Sequence, residues 1–112
     1  MAKIKDIALV GSCEHAGNRV PSECRALFRG QKRELDSHRG WDPGALDLAR
    51  IIARSLDAPL VATNVSRLVV ECNRSVGHTQ LFSKFTRGLG RDEKKRLLDR
   101  YYHPHRGAVE AV

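Results

Sequence analysis

Three short stretches of this chain gather the residue types that chemistry uses. The first is Cys13-Glu14-His15-Ala16-Gly17-Asn18-Arg19-Val20-Pro21. Imidazole and carboxylate are both ordinary zinc donors, so Glu14 or His15 could hold a metal. A lone histidine could equally brace its own loop. Cys13 as a nucleophile is a further option, but it requires an electropositive setting that lowers the thiol pKa. The second stretch is Asp36-Ser37-His38-Arg39-Gly40-Trp41-Asp42-Pro43-Gly44. Here Asp42 reads as a helix N-cap and Pro43 as the first helical residue, a position that needs no backbone donor. The same carboxylate could instead ligate a metal. Trp41, the single tryptophan, belongs either to the core or to a pocket wall, with the core favoured. The third stretch is Arg67 followed by Glu71-Cys72-Asn73-Arg74. A guanidinium offers a planar fork to two oxygens and an amide adds another donor, so Asn73-Arg74 has the makings of a carboxylate clamp. The competing reading is a surface arginine paired with a neighbouring acid.

These stretches need elements to position them. Ile7-Ala8-Leu9-Val10 predicts a short buried strand closed by Gly11-Ser12, which puts the first cluster at a strand's carboxyl end, where α/β sheets place their ligands. Pro21-Ser22-Glu23 opens a short helix with Ala26, Leu27 and Phe28 as its apolar side, and residues 29–41 read as an irregular connection. Ala45, Leu48, Ala49, Ile52, Ala53 and Leu56 recur at helical spacing, so a helix starts at Asp42-Pro43 and stops before Pro59. Leu60–Thr63 and Leu68–Glu71 read as strands. Residues 72–90 form a long polar loop, of the kind that is functional or mobile. From Asp92 a second helix places Leu97, Leu98, Tyr101 and Tyr102 on one face, disturbed by Pro104 and Gly107. Strand, helix and strand in this order make an α/β domain.

Composition narrows the partners. The 112 residues carry 20 Lys+Arg against 13 Asp+Glu, a net charge of +7, which favours anions. The basic residues are scattered rather than gathered in a stripe, so nucleic acid is an unlikely partner. No run approaches the roughly 18 apolar residues of a membrane span, and the apolar stretch Ile7–Val10 is too short for a signal peptide. Three cysteines without CxxC spacing argue against a disulfide scaffold or a zinc ribbon and for reduced thiols in the cytoplasm.

Taken together, Ser-Cys-Glu-His-Ala-Gly-Asn-Arg-Val-Pro at 12–21, His-Arg-Gly-Trp-Asp-Pro-Gly-Ala at 38–45 and Ser-Arg-Leu-Val-Val-Glu-Cys-Asn-Arg-Ser at 66–75 resemble the N-formylglutamate amidohydrolase family, in that order along the chain. Tyr-His-Pro-His at 102–105 extends the likeness weakly. The resemblance implies a phosphorylase/hydrolase-like three-layer α/β/α fold, related to that of zinc carboxypeptidases. Residues 1–112 would form the N-terminal, incomplete part of one such domain. It implies zinc as cofactor, with His15 a ligand, Asp42 the best acidic ligand and Glu14 the alternative. Arg67, Asn73 and Arg74 would hold the carboxylate of a small anionic amide substrate, such as N-formylglutamate. The family's later His ligand and its general acid/base Glu have no counterpart here, so the expectation is an amidohydrolase that is inactive as this chain alone. Two other readings remain open: a small basic nucleic-acid-binding module, and an inactive relative retained for protein contacts.

Overall fold

The computed structural model describes residues 2–4 and 7–111. Its elements are β1 (Ala2–Ile4), β2 (Ile7–Leu9), β3 (Gly11–Cys13), a 3₁₀ helix (Ser22–Phe28), α1 (Lys32–Asp36), α2 (Ala45–Ser55), β4 (Leu60–Ala62), α3 (Arg91–Leu97), a π-helical turn (Leu98–Tyr102) and α4 (His103–Glu110). Strands β1 and β2 form an antiparallel pair, whereas β3 and β4 pair in parallel with Gly11 opposite Leu60 and Cys13 opposite Ala62. Helix α2 is the crossover between the parallel strands, as parallel pairing requires. This is part of an α/β domain, as the order of elements predicts.

Several local expectations change. The run Ile7–Val10 does not form the parallel strand. Residues 7–9 pair with residues 2–4, Val10 is 38% exposed, and the strand leading into the first cluster is Gly11–Cys13. Its ladder is backbone chemistry that apolar patterning does not register; the Gly11 N–H, for instance, donates to the Pro59 carbonyl at 2.8 Å. The 3₁₀ helix turns Cys24 and Phe28 inward and leaves Ala26 exposed, since a three-residue turn selects different faces from an α-helix. Within 29–41, the connection contains the short α1. Pro104 changes the helical pattern without ending the helix. The wider π turn directly before it leaves room for the ring and needs no N–H from it, so α4 continues from α3 with Leu97 and Tyr102 buried.

The largest revision is at Leu68–Glu71, which forms a turn rather than a strand. Val69, Val70, Glu71 and Cys72 are all buried, so the burial period is not two. Val69, Val70 and Cys72 lie in the core cluster with Cys24, Phe28, Leu81, Leu97 and Tyr102. Buried turn carbonyls need donors, and the loop across 72–90 supplies them. The Ser83 hydroxyl donates to the Leu68 carbonyl, the Thr86 hydroxyl donates to that of Val69 at 3.0 Å, and the Glu71 N–H donates to the Leu81 carbonyl at 2.8 Å. The long polar loop is therefore a packed wrap, with Leu81 and Thr86 buried beneath it.

Helix α2 has the predicted span but not the predicted environment. Only Ala53 of its apolar stripe is buried; Leu48, Ile52 and Leu56 are 58%, 50% and 46% exposed, and neighbouring Ile51 is 60% exposed. Its cap also differs. Gly44, at φ 84°, occupies the position before the helix, and the Asp42 side chain makes no cap hydrogen bond.

One glycine fixes how the second and third clusters meet. A Cβ on Gly40 would lie 2.1 Å from the Leu35 carbonyl oxygen, a backbone atom with no freedom to move aside. The Gly40 carbonyl in turn accepts from the Ser66 hydroxyl at 2.9 Å and the Arg67 N–H at 3.2 Å. Gly40→Ala is expected to lower the unfolding free energy by about 2–3 kcal/mol, the upper part of the overpacking range, as read from a urea midpoint. Gly88→Ala, with open space around its Cβ, is the control.

Candidate functional site

The loop leaving β3 carries His15 into the centre of the molecule, between residues contributed by the other two clusters. Its backbone carbonyl accepts the Asp42 N–H at 3.0 Å, which locks the first and second clusters together. Its side chain then bridges two acids: Nδ1 lies 3.0 Å from Asp42 Oδ2 and Nε2 lies 2.6 Å from Glu71 Oε1. Glu71 is almost wholly buried and further held by Arg67 Nε at 2.9 Å and the Asn73 N–H at 3.2 Å. Arg67 also approaches Asp42, at 3.8 Å. Asp42, His15, Glu71 and Arg67 thus form one network with alternating charge.

The electrostatics follow from these contacts. The Glu71 hydrogen bond lifts His15 above the usual imidazole range; burial opposes that, and Asp42 adds to it. Burial pushes Glu71 up, but the hydrogen bond and charge of His15, with Arg67, outweigh it and hold the carboxyl below its usual range. The two shifts agree in direction: the contact favours the protonated imidazole and the ionised carboxylate.

The remaining residues singled out by sequence fall as follows. Glu14 turns away from His15 and its Oε2 lies 2.8 Å from Nε2 of His105, a buried residue of α4. Asn73 is exposed and lines a cavity of ≈ 300 Å³ together with Ser12, Cys13, Glu14, His15 and Asp42. Arg74 is half-buried on the turn after Glu71; its carbonyl accepts the Tyr102 hydroxyl at 2.6 Å, and among the described residues its guanidinium has no ion-pair partner. Trp41 is half-buried and lies outside the core cluster, with its indole N–H unpartnered among the described residues. Cys13 is buried, and burial pushes its thiol up, opposite to what a nucleophile needs. Cys72 is pushed up to about 12 by burial first and then by Glu71 and Glu14. All three cysteines are free. Glu71 joins the His15 network although sequence reasoning passed over it as a site residue. Its sequence signals are its place in the third stretch and the apolar run Leu68-Val69-Val70 directly before it.

The donor chemistry can be tested against zinc. A metal-binding histidine uses one ring nitrogen for the ion and gives the other N–H to a carboxylate or carbonyl. His15 has that form: Nε2 faces the buried Glu71, while Nδ1 faces the half-exposed Asp42 at the cavity. His15 Nδ1 and Asp42 fit as two donors. Among the described residues no group of three or more His, Cys, Asp or Glu side chains is assembled to hold an ion.

A sequence model of the N-formylglutamate amidohydrolase family matches residues 7–112. The chain belongs to that family. Within the amidohydrolase match fall all three clusters and the α4 residues that meet Glu14. Among solved structures, the crystal structure of gene product Atu2144 from Agrobacterium tumefaciens superposes with a TM-score of 0.81 at 29% identity. The superposition covers 91% of this chain and 43% of that one, so the chain spans less than half the length of the structure it resembles. No curated protein matches it. Among the described residues no helix is long and apolar enough to cross a membrane.

Proposed function

We propose that this chain supplies part of the site of a zinc-dependent amidohydrolase acting on the amide of an N-formyl or N-acyl acidic amino acid, with N-formylglutamate the model substrate. The observation that carries the reading is His15 itself, set between a buried carboxylate on one nitrogen and a cavity-facing carboxylate on the other. In this reading His15 Nδ1 and Asp42 hold the metal. Glu71 orients the imidazole, and Arg67 keeps Glu71 ionised. Glu14, engaged by His105, is the weaker ligand candidate. Zinc, when bound, supplies Lewis acidity toward the amide carbonyl and toward water. Asn73 and Arg74 follow Glu71 along the chain after Cys72 and receive the substrate carboxylate, the guanidinium through its fork and the amide through its N–H. A third ligand and a proton-shuttling group come from outside these residues, so the isolated chain is inactive. Burial of all three free thiols fits a reducing cytoplasm.

Zinc titration by calorimetry tests this directly. Glu71→Gln is expected to weaken zinc binding by about 10–100-fold, the usual effect of losing an outer carboxylate that orients a ligand. His15→Ala is expected to weaken it by more. Zinc affinity that is the same in the His15 variant and the parent removes His15 as a ligand and the metal reading with it.

A further inference from the structure

A second concave surface, separate from the His15 cavity, lies between the start of α2, β4 and the α4 region. It is an open groove of ≈ 530 Å³ with Arg19, Arg50 and Arg100 in its walls. Among the described residues no Asp or Glu lines it. Arg19 and Arg50 are only lightly engaged, whereas Arg100 is hydrogen-bonded to Glu23 at the rim. Arg19 Nε donates to Asn64 Oδ1 at a long 3.4 Å and its charge lies 6.0 Å from the centre of the Tyr101 ring. Arg50 reaches Asp47 at 4.0 Å, and Arg100 meets Glu23 at 3.2 Å; these arginines are 59% and 56% exposed, and such surface pairs are weak. His105 stands in the same wall. Nε2 bonds Glu14, whereas Nδ1 is buried with no hydrogen-bond partner among the described residues.

We propose that this groove binds a small phosphate-bearing molecule. Three guanidinium groups lining one concavity, of which Arg19 has no acidic partner among the described residues, give it a positive potential that a concave wall focuses. A single carboxylate answers one of the three charges. A phosphate group carries nearly two charges and three acceptor oxygens, which matches several guanidinium forks at once. Tyr101 and Pro104 add an apolar surface for the body of the ligand. Three arginines at one concavity suit a compact anion over a nucleic-acid strand, which would need a continuous basic track.

The test is binding of inorganic pyrophosphate to the whole chain, followed by NMR shifts and calorimetry, with inorganic phosphate, glutarate and a single-stranded oligonucleotide as comparison probes. Saturable pyrophosphate binding that weakens on the order of tenfold to a hundredfold in Arg19→Ala/Arg50→Ala is the expected result. The same binding should persist in Arg29→Ala/Arg33→Ala, which removes equal charge from exposed positions outside the groove. Equal weakening in both double variants reduces the effect to net charge and overturns the proposal. So does glutarate binding as tightly as pyrophosphate, or an oligonucleotide binding where pyrophosphate does not. Zinc titration of the same variants is independent of the outcome, because none of these arginines lies in the His15 network.

Discussion

Glu71→Ala is expected to lower the unfolding free energy of the chain by about 3–5 kcal/mol, the effect of removing one partner from a buried ion pair. The substitution leaves His15 and Arg67 without their shared acceptor and also frees the Asn73 N–H. Small domains have only about 5–15 kcal/mol of stability, so the loss removes a large fraction of the total and should appear as a clearly lower urea midpoint. Glu71→Gln keeps the shape and part of the hydrogen bonding, and should fall between the parent and the alanine variant. The pH dependence of the metal-free chain carries the same signature. His15 is raised from an ordinary value of 6.5, so its contribution is complete below that value and is lost as pH climbs through the folded one. Glu71 is lowered from 4.5, so its contribution is complete above that value and is lost as pH falls through the folded one. Urea midpoints measured with a chelator present should therefore be highest between about pH 4.5 and 6.5 and decline on either side. Glu71→Gln should flatten both limbs. A parent profile as flat as that of the Gln variant would show that the pair adds nothing to stability.

The second large effect belongs to Arg74. In a protein of full family length, Arg74→Ala is expected to raise KM for an acidic N-acyl substrate roughly 10- to 100-fold, matching about 1.5–3 kcal/mol for hydrogen bonds to a charged group. Zinc content should not change, because Arg74 has no part in the His15 network. Arg74→Lys should restore only a fraction, since a point charge replaces a planar fork. Arg67→Ala should behave differently. With Nε on Glu71 and Nη1 near Asp42, its loss acts on stability and zinc affinity as well as on KM. Unaltered kinetics in Arg74→Ala would make that residue an ordinary surface arginine.

The contrast between these two arginines shows what was legible in the sequence. Some of the signals that act over one or two turns were correct as read. The 3.6-residue recurrence of apolar residues and Pro59 give α2, the run Leu60–Thr63 gives β4, and the spacing of Leu97 and Tyr102 gives the buried face of the C-terminal helices. The three clusters were also legible as motifs, and their order carried the family. Their division of labour was not. Asp42 has every local feature of a helix cap, yet its carboxylate bonds His15, 27 residues away in sequence, while Gly44 takes the cap position. Leu68–Glu71 has the composition of a strand. It becomes a buried turn because the hydroxyls of Ser83 and Thr86, 15 and 17 residues further on, satisfy the carbonyls that a neighbouring strand would otherwise take. The stripe on α2 shows that a helix forms and which residues share a face, but whether that face is covered depends on what packs against it. Glu71 finds His15 across 56 residues. Periodicity and capping are properties of adjacent residues. Which carboxylate meets which ring nitrogen is settled by hydrogen bonds between distant segments, and these exist only once the chain has closed around them.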